Sequence, residues 1–316
     1  MEQERKPSCI FGPVPSRRLG RSLGIDVVPF KTCTYDCVYC QLGRTTHRTT
    51  QRREYVLADE VISQLQGRLA EGLEADYITF SGSGEPTLNQ QLGRMIATVH
   101  GMTDAPVAVL TNGSLLFHPE VRADLARADL VIPSLDAATS GTWKAVNRPC
   151  PELHLEAVLD GLRRFRQEFS GALWLEVLLV RGLNDSAADL AELAAVVEDL
   201  HPDRVQLNTV VRPPAEGWAE PLDRPTLERI AATLPPPTEV IAEVPPAALD
   251  QPRCQAGAER ILALLSRRPC TLEDLAASLG IHRNEAGKYV QILLQSGAIQ
   301  ESWHQGRRFY ALPPGS

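Results

Sequence analysis

The stretch KTCTYDCVYCQ, residues 31–41, carries three of the seven cysteines of this 316-residue chain. Cys33, Cys37 and Cys40 follow a C-x3-C-x2-C spacing. Three thiolates this close can hold three irons of a cubane iron–sulfur cluster and leave the fourth iron without a protein ligand. One alternative is a structural zinc site, for which His47 is the nearest fourth ligand. A second alternative is three thiols without a shared role.

The other four cysteines are scattered along the chain, at Cys9, Cys150, Cys254 and Cys270. An odd total argues against a disulfide framework and indicates a reducing compartment. Cys150, Cys254 and Cys270 could supply a second cluster, but they lack ligand spacing. We therefore expect them to be small buried hydrophobic residues.

The composition is that of a globular protein, because 43% of the residues are hydrophobic and 22% are charged. These proportions exclude a disordered or collagen-like chain. Apolar runs such as residues 107–110 are far shorter than the ~18 residues of a membrane span. The first residues also lack the apolar core of a secretory signal. We therefore expect a cytoplasmic protein without a membrane helix.

Charge is distributed unevenly, although the net value is -7. Residues 1–53 hold ten Lys and Arg against four acidic residues. Such a basic region could steer an anionic substrate, or it could be an ordinary solvated face. Arg17, Arg18 and Arg21 have the same two interpretations, phosphate binding or salt bridges within the fold.

Short β-branched runs alternate with helical patterns from residue 22 to about 245. This alternation predicts βα units and a parallel sheet with right-handed crossovers. About six units indicate an α/β fold built as a partial (β/α)6 barrel. Strands are predicted at 22–28, 77–80, 107–110, 130–134, 174–180, 204–208 and 239–243. Helices are predicted at 58–73, 88–100, 119–128, 152–169, 186–200 and 226–233.

Polar and Gly-rich segments directly follow the predicted strands. They read SGSGE at 81–85, TNG at 111–113, SLDA at 134–137 and RGLND at 181–185. Loops after parallel strands meet at the carboxyl edge of the sheet, where active sites are built. Residues 30–53, which contain the three clustered cysteines, lack periodicity, and loops of this length are usually functional.

The C-terminal part of the chain has a different pattern. Ten of the 24 prolines fall within residues 211–252, which indicates a domain exit. We predict a core domain at 1–245, a linker at 246–255 and a small domain at 256–316. Its helix at 258–268, helix capped by Thr271 and Asp274, recognition helix at 283–295 and hairpin at 298–312 are typical of a winged helix-turn-helix. Such a domain could bind nucleic acid, a protein or a peptide.

The cysteine spacing, with Tyr39 just before the last cysteine, resembles the radical S-adenosylmethionine (SAM) superfamily. The resemblance implies that Cys33, Cys37 and Cys40 ligate a 4Fe-4S cluster. It also implies that the open iron is chelated by the amino and carboxylate groups of SAM, and that Tyr39 lies beside the adenine.

Further segments resemble SAM-binding motifs of that superfamily. Ser83-Gly84-Glu85-Pro86 is similar to its Gly-Gly-Glu-Pro segment, with Ser83 in place of the first glycine. There the small residues admit the methionyl group and the carboxylate accepts from its ammonium. The resemblance places Asn112, Ser134 and Asp136 at the ribose and carboxylate of SAM, and it also extends to Asn184 and Asp185. Asn112 could instead serve a turn, and Asp136 and Asp185 could instead cap helices.

The chemistry implied by the resemblance is reductive cleavage of SAM to methionine and a 5'-deoxyadenosyl radical, which abstracts hydrogen from a substrate. The electron comes from a one-electron donor of the flavodoxin or ferredoxin type. The class of overall reaction (oxidoreductase, lyase or transferase) stays open.

Residues 11–215 resemble more narrowly the subgroup related to 4-demethylwyosine synthase, which remodels a guanine in transfer RNA. Only Cys9 precedes the core here, whereas that enzyme has additional N-terminal cysteines, so the wyosine reaction itself is not implied. Three hypotheses follow. The chain is a radical enzyme acting on an RNA base or other macromolecule, a radical enzyme acting on a peptide or small molecule with the winged helix docking a partner protein, or a cluster-based redox regulator that binds DNA.

Overall fold

The structure of the protein is a computed structural model that describes residues 8–72, 74–212, 214–235, 237–242, 252–266, 268–304 and 307–313. Its contacts divide the chain into two units. The first unit comprises residues 1–25, 64–77 and 244–316, and the second comprises residues 26–63 and 78–243.

The second unit contains a parallel sheet in which consecutive strands are neighbours, as the βα alternation predicts. The order is β5-β6-β7-β8-β9-β10, and each of the pairs from β5–β6 to β9–β10 is parallel. These strands are β5 (Tyr77–Phe80), β6 (Val107–Thr111), β7 (Leu130–Pro133), β8 (Ala172–Leu179), β9 (Arg204–Thr209) and β10 (Thr238–Val240). Within the described ranges the sheet does not close, so the architecture is an open α/β sheet.

Helices follow the strands and cover the sheet. They are α1 (Ala58–Ala70), α2 (Leu92–His100), α3 (Pro119–Leu125), α4 (Ser140–Asn147), α5 (Leu155–Glu168), α6 (Ala187–Leu200) and α7 (Arg224–Ala231). A 3-10 turn at Pro86–Leu88 replaces the start of the predicted helix 88–100. Helix α4 was anticipated only as a helix that Asp136 could cap and was given no bounds, because Gly141 and Thr142 weaken the helical pattern around Trp143 and Val146.

The first unit holds an antiparallel hairpin formed by β1 (Ile10–Ser16) and β2 (Gly20–Ile25). A parallel strand was predicted at residues 22–28. The strand exists as β2, but its pairing with β1 is antiparallel, so the predicted direction is wrong for this pair. Strand β1 escaped prediction because Pro13 and Pro15 interrupt its pattern, and prolines within strands occur at edges or bulges. The register of the hairpin does shift between Phe11 and Val14.

The C-terminal part of the first unit consists of three helices and a hairpin. They are α8 (Pro252–Leu265), α9 (Leu272–Leu279), α10 (Arg283–Gln295), β11 (Gln300–His304) and β12 (Arg307–Ala311). Thr271 and Asp274 form the predicted capping box, and Gly280 ends α9 in the left-handed conformation. Ile261, Leu275, Tyr289 and Tyr310 belong to a shared apolar core.

The predicted domain boundaries stay a prediction. Residues 243–251, which include most of the predicted linker 246–255, lie outside the described residues. Within the described part of the chain, no helix has the length and apolar composition needed to cross a membrane.

Gly161 shows how closely α5 approaches the loop that follows β6. A Cβ at this position would overlap the backbone of Leu116 and Phe117, whereas a Cβ at Gly141 in α4 would meet nothing. We expect Gly161→Ala to lower the free energy of unfolding by about 1–3 kcal/mol, because the backbone of the loop must move. Gly141→Ala is the control, and we expect it to be neutral or stabilising by up to about 1 kcal/mol. Urea unfolding measures both changes, and equal values would contradict the close approach.

Candidate functional site

The loops that follow the parallel strands meet at the carboxyl edge of the sheet in the second unit. The cysteine-bearing segment is held partly by a short pairing within itself: Thr32–Cys33 (β3) pairs with His47–Arg48 (β4). The amide of Val38 donates to the carbonyl of Val146 at 2.9 Å, at the end of α4. Turns at Cys37–Cys40 and Cys40–Gly43 fold the segment back on itself. The three predicted ligands are therefore held on an anchored loop.

Each of the three cysteine sulfurs accepts a hydrogen bond from a different side chain. The Asn112 amide donates to Cys33 Sγ at 3.5 Å. The Asn147 amide donates to Cys37 Sγ at 3.4 Å. The Lys31 ammonium donates to Cys40 Sγ at 3.4 Å. Donors aimed at sulfur are the contacts that stabilise and tune cysteine thiolates bound to iron.

Burial dominates the acidity of two of these thiols, Cys33 and Cys37. It raises the pKa of Cys33 to about 12, with the charge of Glu85 adding to the effect. Burial also raises the pKa of Cys37 well above the ordinary value, with Asp136 adding to the effect. Without a metal these sulfurs are therefore protonated at neutral pH, and the positive charge of bound metal is what makes thiolates favourable in such a site.

The donor set fits an iron–sulfur cluster better than a single zinc ion. Soft thiolates suit both, but a cluster binds each thiolate at a different iron, so its sulfurs stand further apart than the ligands of one ion. His47, the alternative fourth zinc ligand, is exposed and packs edge-on against Tyr55.

Tyr39 and Asp136 belong to one buried network. Asp136 accepts hydrogen bonds from the Tyr39 hydroxyl, from the Asn147 amide at 2.6 Å and from the Leu178 backbone at 2.9 Å. Burial raises the pKa of Asp136 to about 6, against the opposing effect of these donors. Since Thr139 caps α4, the alternative that Asp136 caps this helix is wrong.

The segment Ser83-Gly84-Glu85 lies against the cysteine loop. The carbonyl of Ser83 accepts from the Lys31 amide at 2.7 Å, and the Glu85 amide donates to Thr32 at 3.1 Å. A Cβ on Gly84 would overlap the Thr32 carbonyl oxygen, so the approach requires glycine here. The glycine of this motif therefore admits the protein's own backbone.

The Glu85 carboxylate is held by protein donors. It accepts hydrogen bonds from the backbone N–H and the hydroxyl of Thr87, from the Thr111 hydroxyl at 2.6 Å and from the backbone N–H of Asn112 at 2.7 Å. Burial raises the pKa of Glu85, and these donors oppose the rise. Glu85 thus fixes the position of Asn112, and its predicted contact with SAM stays a prediction.

The Asn112 side chain makes the turn contact that was its alternative role and also reaches the cysteine loop, while its contact with SAM stays a prediction. Its side-chain oxygen accepts from the Ser114 backbone at 3.0 Å, which is a turn contact. Its amide donates to Cys33 and, at 2.7 Å, to the Thr34 hydroxyl. Ser134 follows β7 and is joined to β6 by a 3.0 Å backbone hydrogen bond to Thr111. These predicted SAM residues therefore lie on adjacent strand ends.

Asn184 and Asp185 have structural roles in the loop after β8. The buried Asn184 amide bridges the carbonyls of Asp136 and Leu178 at 2.8 and 2.9 Å. Asp185 accepts from the Gly182 backbone at 2.8 Å. The alternative that Asp185 caps the next helix is wrong, because Ser186 caps α6.

The remaining predicted residues have structural surroundings or lie outside the described side chains. Arg21 forms ion pairs with Glu74 and Asp76, which confirms the salt-bridge interpretation for this arginine. Cys150 and Cys270 are buried, as expected of small hydrophobic residues, and Cys9, for which no role was predicted, is buried as well. The side chain of Cys254 is outside the described part of the structure.

Sequence reasoning missed Lys31 and Asn147. Lys31 adjoins the cysteine motif, and a lysine two residues before the first cysteine was a usable signal. Asn147 was missed because the helix near Thr139 was given no bounds, although the Thr139 cap and the spacing of Trp143 and Val146 indicate a helix there.

Comparisons with known proteins agree with this site. Residues 27–194 match the family described as the Radical SAM superfamily, which covers more than half of the chain. The chain belongs to the radical SAM superfamily. Enzymes of this superfamily use a 4Fe-4S cluster and SAM, so the predicted pair of cofactors is confirmed at the level of the family. The chain is therefore an enzyme.

Individual relatives extend over different shares of the chain. A protein of Brachyspira hyodysenteriae named GTPase Obg is 39% identical over 97% of this chain and 45% of its own length. This chain therefore spans less than half the length of that relative. The sequence of this chain does not contain the G-x-x-x-x-G-K-[ST] phosphate-binding motif. A UPF0026 protein of Helicobacter pylori is 33% identical over 94% of this chain and 95% of its own length.

More distant similarities concern the core fold. A dual-specificity RNA methyltransferase RlmN of Oleidesulfovibrio alaskensis is 25% identical over 63% of this chain and 57% of its own length. The solved structure of TYW1 with a lysine-pyruvate adduct bound has a TM-score of 0.54 at 18% identity, covering 67% of this chain and 72% of that chain. This structural likeness shows a shared fold.

The raised pKa of Asp136 predicts a specific dependence of stability on pH. Its folded pKa of about 6 exceeds the ordinary value of 3.8. The folded state therefore binds the proton more tightly, and stability is lost as pH rises through this window. For the metal-free protein, we expect the free energy of unfolding of wild type to fall, relative to that of Asp136→Asn, by on the order of 2 kcal/mol between pH 4 and pH 7. Urea unfolding at both pH values measures the change, and a constant difference would contradict the raised pKa.

Proposed function

We propose that Cys33, Cys37 and Cys40 hold a 4Fe-4S cluster and that SAM binds beside them in the second unit. The proposed SAM contacts are Tyr39, Ser83, Gly84, Glu85, Asn112, Ser134 and Asp136. The observation that carries this assignment is the set of three hydrogen bonds that reaches the three sulfurs from Asn112, Asn147 and Lys31. Thiols without a shared role do not require one dedicated donor each.

The residues around the sulfurs then have defined tasks. When bound, the cluster and SAM supply the radical that abstracts a hydrogen atom. Glu85 fixes the backbone of Asn112, while Asp136 orients the Tyr39 ring through its hydroxyl. Val38 and Val180, which are buried in one apolar cluster, exclude water from one side of the loop. Enzymes of the superfamily take electrons from flavodoxin or ferredoxin reductants, and we propose a donor of this type in a reducing cytoplasm.

We propose an RNA as the substrate. One relative is named an RNA methyltransferase, and the segment 44–53 supports RNA binding, since it contains four arginines and no acidic residue. Three of them, Arg44, Arg48 and Arg53, are exposed, whereas Arg52 pairs with Asp124. Arg48 is exposed on β4, next to the Cys33 strand. Arg53 stacks over Tyr55 at 4.4 Å. Arginines combined with an aromatic ring suit phosphates and unstacked bases.

The C-terminal helices and hairpin support a second RNA contact. We propose that residues 256–316 form a winged helix-turn-helix domain behind a linker at 246–255, with the enzyme core at 1–245. On the hairpin, Trp303 is exposed and Arg308 lies 4.7 Å above its ring. An exposed aromatic ring paired with arginine is suited to stacking on a base.

Loss of one cysteine ligand tests the cluster assignment. We expect Cys37→Ala to lose the iron and the SAM cleavage seen in anaerobically reconstituted wild type, because a cluster held by three thiolates cannot spare one. Cys150→Ala, which removes another buried cysteine, is the matched control and keeps both. Iron content and 5'-deoxyadenosine release are the measurements. Wild type that binds iron in a 1:1 ratio without sulfide, or cleavage that persists in Cys37→Ala, would refute the proposal.

Binding to RNA tests the substrate class. We expect wild type to bind transfer RNA with an affinity that falls steeply with salt. The double variant Arg48→Gln/Arg53→Gln should reduce the slope of log K against log salt by about 1.4, since each phosphate contact on a single strand contributes about 0.7. Arg164→Gln, on the exposed face of α5, is the control. Absence of RNA binding together with intact SAM cleavage would instead favour a peptide or small-molecule substrate.

A further inference from the structure

Lys31 is a buried lysine beside a proposed cluster ligand. Its side chain is only 2% exposed. Its ammonium donates to the Gly43 carbonyl and to Cys40 Sγ, the latter at 3.4 Å. Within the described part of the chain, no carboxylate forms an ion pair with it. A buried cation without an anionic partner is unfavourable, so a negative charge beside the Lys31 ammonium would stabilise it.

The backbone of Lys31 is held in an unfavourable conformation. Its φ is 62°, in the left-handed region that favours glycine. Two hydrogen bonds hold it there: its amide donates to Ser83 at 2.7 Å, and its carbonyl accepts from His47 at 3.0 Å. A lysine pays a conformational free-energy cost in this region that a glycine would not. Strain of this kind persists where the surroundings fix the residue, and it clusters at functional sites.

The three hydrogen-bond donors to sulfur differ in charge. Asn112 and Asn147 are neutral amides, whereas Lys31 is a cation. A cluster bound by three thiolates carries negative charge, and one-electron reduction adds a further unit. A fixed cation close to one sulfur attracts the reduced state more strongly than the oxidised state.

We propose that Lys31 is the counter-charge of the iron–sulfur cluster, acting at Cys40 to raise its reduction potential. This inference rests on the proposed function. The electron comes from a flavodoxin- or ferredoxin-type donor, which is oxidised by one electron while the cluster is reduced by one. No bond or proton changes at Lys31. Its role is therefore electrostatic, and it allows a weaker reductant to populate the reduced cluster.

The test is a redox titration of the reconstituted protein, followed by electron paramagnetic resonance at controlled potential. Lys31→Met removes the charge and keeps the chain length, whereas Lys31→Arg keeps the charge. Lys31→Gly removes the charge and relieves the backbone strain. Lys144→Met changes the exposed lysine of α4 and is the matched control.

We expect Lys31→Met and Lys31→Gly to lower the ratio of reduced to oxidised cluster at fixed potential at least tenfold, a midpoint shift of about 59 mV for one electron. Lys31→Arg should stay within threefold of wild type, and Lys144→Met should be unchanged. Iron loss in Lys31→Met and Lys31→Gly but not in Lys31→Arg would also support the counter-charge.

Midpoints of Lys31→Met and Lys31→Gly equal to wild type would overturn the inference. A shift or an iron loss in Lys31→Arg as large as that in Lys31→Met would also overturn it, because the side chain would then act through its shape. Absence of a 4Fe-4S signal in wild type itself would refute the proposed function instead. The two failures are thus distinguishable.

Discussion

Burial of the Glu85 and Asp136 carboxylates at one edge of the sheet is the constraint on which the rest of the site depends. Polar atoms removed from water must find partners inside the protein, or they cost free energy. Here the partners come from several strand ends at once. Glu85 takes its donors from the segment after β5 and from the end of β6, and Asp136 takes donors from the cysteine loop, α4 and β8. The two carboxylates therefore fasten the loops to one another.

Parallel pairing explains why these loops can meet at all. Strands β5 to β10 run in the same direction, so each delivers its following loop to the same edge. Within this arrangement the cysteine segment has little regular structure of its own. It is positioned by its neighbours Val146 and Ser83 and by the short β3–β4 pairing within the segment itself.

The sequence predicted well those features that depend on local pattern. The cysteine spacing, strand β5 and the α9 capping box followed from residues close together in the chain. It predicted poorly what depends on distant partners. Strand β1 is stabilised by its pairing with β2, although its prolines argue against a strand. Asn147 gains its importance from Asp136 and Cys37, neither of which is its neighbour in sequence. No local sequence pattern indicates that the Glu85 carboxylate accepts its hydrogen bonds from protein donors.

The pairing of β3 with β4 joins two parts of the chain with different exposure. Cys33 lies on one strand, and the exposed His47 and Arg48 lie on the other. The Cys33 carbonyl accepts from the Thr49 amide at 3.0 Å, so the basic surface and the sulfur loop share a backbone hydrogen bond. Any molecule whose binding to this surface shifts β4 must change the surroundings of Cys33. By thermodynamic reciprocity, a change at Cys33 would alter the affinity of that surface to the same degree.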